Sequence, residues 1–197
     1  VFNTIKNIIK NEGKPIICKF NRSSNLSDRI KDTDVINDLM IHDIDLALNF
    51  NGPIDTIHSY GKRENKMIKY VHSTMRHSNG VLSIFEVSRI TQKKIRTLSI
   101  LFKNAYVEIN LINKDIYVSK DLKINKENLQ LKKKSKDNSG YFFNTNELKI
   151  EVKPQEAALS QMNSFIERCL NKQKIKANYY LEALEVCRNV KKTINLM

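Results

Sequence analysis

The stretch Asp38-Leu39-Met40-Ile41-His42-Asp43-Ile44-Asp45 decides how this chain is read. Wound as a helix at about 100° per residue, it aligns Asp38, His42, Asp45 and Asn49 along one side, with Asp34 a turn earlier, inside a sector of roughly 80°. Met40, Ile41, Ile44, Ala47 and Leu48 cover one flank of that polar stripe, and Val35, Leu39 and Leu46 cover the other. Burying both flanks confines the stripe between them, as a site requires. The competing reading is a helix at the rim of a sheet, with Asp38 and Asp45 in water and His42 simply solvated. Asp32 or Thr33 is placed to cap the helix, and Asn51-Gly52-Pro53 to close it.

Upstream, Phe2, Ile5, Ile8 and Ile9 recur at helical spacing from Val1 to Asn11, ahead of the stop at Gly13. Lys14 to Phe20 reads as a strand, and Asn21 to Lys31 as a polar loop that could border a cleft. Downstream the texture becomes β: Ile54–Tyr60, Met67–Met75, Val81–Ile90, Ile95–Phe102, Tyr106–Leu111 and Asp115–Val118 are strand-like runs. Ser78-Asn79-Gly80 and Asn113-Lys114 supply tight turns, so the sheet is expected to be antiparallel. Tyr141 to Val152 adds strand material, with Tyr141, Phe142 and Phe143 as an apolar knot for the sheet or an oligomer contact. Two amphipathic helices follow at Glu156–Leu170 and Tyr179–Leu196, with Leu159, Met162, Phe165 and Ile166 on the first and Leu181, Leu184, Cys187 and Ile194 on the second. The order implies an α+β fold, a mostly antiparallel open sheet with helices packed mainly on one face.

At 197 residues, 41% of them hydrophobic, the chain can bury a substantial core and reads as one domain. No apolar run is long enough to cross a bilayer and no signal peptide is evident, which points to the cytoplasm and away from a membrane. Cys18, Cys169 and Cys187 are odd in number and widely spaced, unlike a disulfide framework or a metal site. The net charge of +13 raises nucleic acid as a partner. The excess is concentrated in the Asn- and Lys-rich run from Lys120 to Lys136, which reads as a solvated linker, and no nucleic-acid-binding motif accompanies it.

No Gly-x-Gly-x-x-Gly, Walker loop or Ser- or Cys-centred nucleophile motif occurs in the chain. His72 and His77 lack carboxylate or Cys companions at metal-ligand spacing and are assigned to the surface, and His58 to a strand. Arg89, Lys94 and Arg96, on consecutive strands or the turn between them, could face an anionic substrate or form a solvated strand face.

The segment Asp34 to Asp45, the hairpin run Asn79-Gly80-Val81-Leu82-Ser83 with Ser88-Arg89-Ile90 and Lys94-Ile95-Arg96, and the helix Leu159–Leu170 together resemble the C-terminal domain of the Gfo/Idh/MocA family of NAD(P)-dependent sugar and cyclitol oxidoreductases. Within it the pattern looks most like enzymes that oxidise the sugar 3-hydroxyl of UDP-N-acetylglucosamine. The resemblance implies a glyceraldehyde-3-phosphate dehydrogenase-like C-terminal domain over residues 1–197, serving substrate binding and oligomerisation. It implies an N-terminal Rossmann half, absent from this chain, that binds NAD or NADP and carries a Glu-Lys-Pro lysine. It further implies homo-oligomers built through the open sheet face. Asp38 and His42 match the family's Asp-x-x-x-His pair, the His at the substrate hydroxyl and the Asp beside it.

On that basis His42 is the expected general base, since imidazole titrates near neutrality. Asp38 would orient it or a substrate hydroxyl, Asp45 would cap, pair or contact substrate, and Arg89, Lys94 and Arg96 would contact an anionic group such as that of a UDP-sugar. No residue of the chain is expected to bind cofactor or metal. Whether these residues catalyse without the other half is left open. The alternative is a non-catalytic remnant, or a binding or assembly module, from a split gene.

Overall fold

In a computed structural model, residues 1–25, 32–121, 135–136, 142–143, 145–150, 157–171 and 181–196 are described. Helix α1 (Phe2–Glu12) leads into strand β1 (Ile17–Asn25), and a π-helical turn at Ile36–Met40 opens helix α2 (Ile41–Asn51). Strands β2 (Ile54–Glu64), β3 (Met67–His77), β4 (Leu82–Ser88), β5 (Ile90–Leu101), β6 (Ala105–Asn110) and β7 (Asp115–Asp121) follow. The two-residue strands β8 (Ser135–Lys136) and β9 (Phe142–Phe143) pair with each other. Strand β10 (Thr145–Ile150), helices α3 (Ala157–Leu170) and α4 (Glu182–Thr193), and the short β11 (Asn195–Leu196) complete the order.

Nine strands form one sheet in the order β10-β7-β6-β5-β1-β4-β3-β2-β11. Hairpins make most of it antiparallel, and the turns carry the expected chemistry: Asn65 and Lys66 both adopt positive φ between β2 and β3, and Gly80 does so after β3. Two strands depart from the antiparallel expectation. β1 lies parallel to β4 and β11 parallel to β2, because no hairpin joins either strand to its neighbour. β1 separates β4 from β5, so the chain passes between those two strands through Arg89, at the end of β1 where Asn25 pairs with Ile90.

Alternation sorts the sheet into two faces. Phe85, Phe20, Leu98, Ile109 and Ile116 run across it in register on the inner face, and Phe20 stacks on Phe85 with ring centroids 5.0 Å apart. Ile5 and Ile8 of α1, Ile44 and Ala47 of α2, and Ala183, Cys187 and Val190 of α4 join this core. The other face carries Lys19, Glu86, Tyr106 and Glu108 in the open. Gly61 is required where β2 meets the end of α4: a Cβ there would lie 2.5 Å from Ile194 Cδ1 and 2.9 Å from the Tyr70 carbonyl oxygen.

Several sequence expectations are corrected. Asn21 to Asn25 continue β1 rather than opening a loop, because the polar Arg22 side chain is turned into the core face and paired there; residues 26–31 lie outside the described set. The buried stripe of α4 is Ala183, Cys187 and Val190, while Leu181 and Leu184 are exposed. The apolar residues Leu159, Met162, Phe165 and Ile166 of α3 are also exposed. Most of the basic run from Lys120 to Lys136 and Tyr141 of the aromatic knot lie outside the described residues.

His77 is fully buried rather than superficial. Its Nδ1 lies 2.7 Å from the Gly52 carbonyl oxygen and its Nε2 2.8 Å from Ser83 Oγ, so the ring ties the end of α2 to β4. Burial, the dominant cause, holds its pKa below the ordinary 6.5 against the raising effects of the Gly52 and Pro53 backbone and of Asp55. The three cysteines are free, and burial pushes the Cys18 and Cys187 thiols up to about 11.

Candidate active site

The cleft forms where β1 ends, β4 crosses to β5 and the π turn passes over them. Arg22, Ser23, Ser24, Asn25, Asp38, Leu39, His42, Arg89, Lys94 and Arg96 line a cavity of about 630 Å³.

Local chemistry builds the turn that carries Asp38. The Asp34 carboxylate accepts the amides of Ile36 and Asn37, each at 3.1 Å, and so performs the capping expected of Asp32 or Thr33. Lys191 of α4 reaches the other Asp34 oxygen at 2.7 Å, and the Cys187 thiol donates to the Ile36 carbonyl oxygen at 3.8 Å, fastening α4 to the turn. The Ile41 amide bonds back to Ile36 across five residues, a wider turn than an α-helix makes. The polar stripe expected from uniform winding does not line the cleft as a whole. Asp38 and His42 face the cleft. Asp45 lies outside its lining, exposed, with the Asn49 amide donating to its carbonyl oxygen at 2.8 Å.

Arg22 of the lining is paired with Asp43, which lies outside it. The Arg22 Nε donates to one Asp43 oxygen at 2.7 Å and Nη2 to the other at 2.5 Å, with the side chains only 10% and 3% exposed. A two-point, charge-assisted contact in this setting anchors α2 to β1. Sequence reasoning left both residues unassigned, although a signal existed. Asp43 interrupts the apolar flank of the helix, and Arg22 follows Phe20 at the strand period, so each polar group was due to be buried opposite a partner.

Arg89 bridges the two sides of the cleft. Its Nη2 donates to Asp38 Oδ2, and its Nη1 donates to Ser24 Oγ at 2.9 Å and reaches the Asn25 carbonyl oxygen at 3.5 Å. The β1–β5 register shifts between Ser23 and Asn25, a bulge that re-aims Ser24 toward the guanidinium. At 9% exposure Arg89 does not belong to a solvated strand face. Burial first, and then the positive charge of Arg96, hold its pKa below the usual guanidinium value. Arg96 sits directly across from Arg22 in the β1–β5 pair, and Lys94 is exposed at the mouth. Neither Lys94 nor Arg96 has an ion-pair partner among the described residues. His42 is exposed to the cleft and has no hydrogen-bond partner among the described residues, and the Asp38 carboxylate is engaged by Arg89 rather than by the imidazole.

The arrangement can take up a proton at His42, hold a hydroxyl near Asp38 and attract an anion to Lys94 and Arg96. No group of three or more His, Cys, Asp or Glu side chains among the described residues could hold a metal ion. No helix among them is long and apolar enough to cross a membrane.

Comparison with known proteins finds relatives of this fold. Residues 14–108 match the GFO/IDH/MocA C-terminal domain, the family that the sequence resembles. A UDP-N-acetylglucosamine 3-dehydrogenase from Acidithiobacillus ferrooxidans is 27% identical over 108 residues, which is 54% of this chain and 34% of that protein. Among solved structures, the UDP-N-acetylglucosamine 3-dehydrogenase GnnA from the same organism superposes with a TM-score of 0.80 at 17% identity, covering 98% of this chain and 58% of that one. An oxidoreductase from Agrobacterium radiobacter, solved with NAD+, L-tartaric acid and magnesium, matches with a TM-score of 0.71 at 16% identity over 98% of this chain and 58% of its own. The chain thus carries the fold of an oxidoreductase C-terminal domain and spans little more than half the length of these solved relatives.

Proposed function

We propose that these residues are the substrate-binding half of an NAD(P)-dependent oxidoreductase acting on a hydroxyl of a sugar or nucleotide sugar, with His42 and Asp38 as its catalytic residues. The observation that carries this reading is the presentation of His42 and Asp38, one turn apart, into a cleft that Lys94 and Arg96 also line. The His42 imidazole accepts the hydroxyl proton as the carbon-bound hydride departs, and Asp38 orients the hydroxyl. A nicotinamide group supplies the hydride acceptor when bound. With no Gly-x-Gly-x-x-Gly in these 197 residues, its dinucleotide is held by a Rossmann half outside them, in the same or a separate chain. Lys94 and Arg96, without an ion-pair partner among the described residues, suit the diphosphate of a nucleotide sugar. Asp45, exposed and outside the lining, pairs with the Asn49 side chain instead.

The protein is proposed to work in the cytoplasm, where its thiols stay reduced. Copies would associate through the outer sheet face, where Tyr60, Leu101 and Tyr106 are 51%, 39% and 37% exposed.

The test is co-expression with a Rossmann-type half, followed by a nicotinamide absorbance assay over UDP-N-acetylglucosamine, other nucleotide sugars and free sugars. His42→Ala should lower turnover by about 10²- to 10⁴-fold while cofactor binding persists. An unchanged rate removes His42 from the mechanism. A preference for free sugars removes the nucleotide-sugar assignment.

A further inference from the structure

The two arginine–aspartate pairs of the cleft are built differently. Arg22 and Asp43 close on each other through two nitrogens and two oxygens, and both are shielded from water. Arg89 meets Asp38 through one nitrogen and one oxygen, and the Asp38 side chain is 23% exposed at the cleft wall. The first pair is locked, whereas the second has an exposed member that can leave.

Arg89 does not depend on Asp38 for its place. Its other nitrogen is held by Ser24 Oγ and the Asn25 carbonyl oxygen, neutral acceptors on a different strand, so the guanidinium stays aimed into the cleft when the carboxylate withdraws. Arg96 stands close enough to oppose its charge, and Lys94 and Arg96 lack carboxylate partners among the described residues. A dianion drawn to those two side chains therefore arrives beside Arg89, where it competes with Asp38 for the same donor. Asp38 precedes His42 by one turn, across the wide π turn, and the imidazole has no hydrogen-bond partner among the described residues.

We infer that Arg89 is a shared guanidinium, held by Asp38 before substrate binds and taken over by the diphosphate of a nucleotide substrate, which releases Asp38 toward His42. This rests on the proposed reading of the cleft as a nucleotide-sugar site and adds a specificity rule to it. A substrate without the anionic group leaves Asp38 on Arg89, so the base and its orienting carboxylate come together only for the anionic one. Arg89 is then a positioning residue acting through Asp38, and discrimination falls on turnover as well as on binding.

The exchange is measurable on the 197-residue chain, with uridine diphosphate as probe, by calorimetry in a double-mutant cycle. Asp38→Asn should tighten binding about tenfold in the presence of Arg89 and have no effect beside Arg89→Gln, because the competition needs both partners. Circular dichroism checks that each variant folds. Should Arg89→Gln fail to fold, the His42 ring resonances at fixed pH give the second reading: uridine diphosphate should shift them in the parent chain and leave them in place in Asp38→Asn. Equal tightening in both backgrounds, or His42 shifts that persist without the Asp38 charge, overturns the exchange while leaving the anion site standing. No binding, or binding indifferent to Arg96→Ala, overturns the nucleotide-sugar reading and the exchange with it.

Discussion

Arg22 of β1 and Asp43 of α2 meet through two hydrogen bonds, at 2.7 and 2.5 Å, beneath the cleft that carries Asp38 and His42. The pair joins the strand lining one side of the cleft to the helix lining the other. Removing one partner leaves a buried charge without its counter-ion, which costs about 3–5 kcal/mol. Arg22→Met or Asp43→Leu alone should lower the unfolding free energy, measured by chemical denaturation, by that order. The double substitution should lose markedly less, since no charge is then stranded. Additive losses would show that the two side chains do not act as a pair.

The buried His77 makes stability depend on pH. Its folded pKa lies below the unfolded value of 6.5, so the unfolded chain binds the proton more readily. The full contribution is present above pH 6.5 and is lost as pH falls from there through the folded pKa. Urea midpoints measured between pH 7.5 and 5 should fall more steeply for the parent chain than for His77→Gln, which has no titrating ring. Parallel slopes would remove His77 as the cause.

Gly61 allows β2 to pass close to both Ile194 and the Tyr70 carbonyl. Gly61→Ala should destabilise the fold by about 1–3 kcal/mol, the range for overpacking a filled interior. Adding Ile194→Ala should recover only part of that loss, because the Tyr70 contact is backbone. Thermal denaturation of the single and double variants checks both parts.

Thiol reactivity should separate the cysteines. Cys169 is exposed, whereas Cys18 and Cys187 are buried with their pKa values raised to about 11. Titration with a chromogenic disulfide at pH 8 should find one fast thiol, removed by Cys169→Ser, and two more on adding denaturant. Three equally fast thiols would contradict the burial of the α4 face on the turn at Ile36.

Much of the architecture was legible in the residues, because two-residue alternation and three-to-four-residue recurrence are properties of local chain geometry. The hairpins at Gly80 and Asn113-Lys114, the amphipathic α1 and the long helix bearing Asp38 and His42 follow from that periodicity. The meeting of Asp38, His42, Arg89, Lys94 and Arg96 was decided by tertiary structure. It required β1 to enter between β4 and β5, which no hairpin signals, and a bulge to turn Ser24 toward Arg89. Uniform winding could not anticipate the π turn beneath Asp38, which Lys191 and Cys187 fasten from far along the chain. Local pattern determines which face of an element is apolar. Which charged side chains share a cleft depends on how distant elements pack, because burying Arg22, Asp43 and Arg89 is tolerable only where each finds its partner.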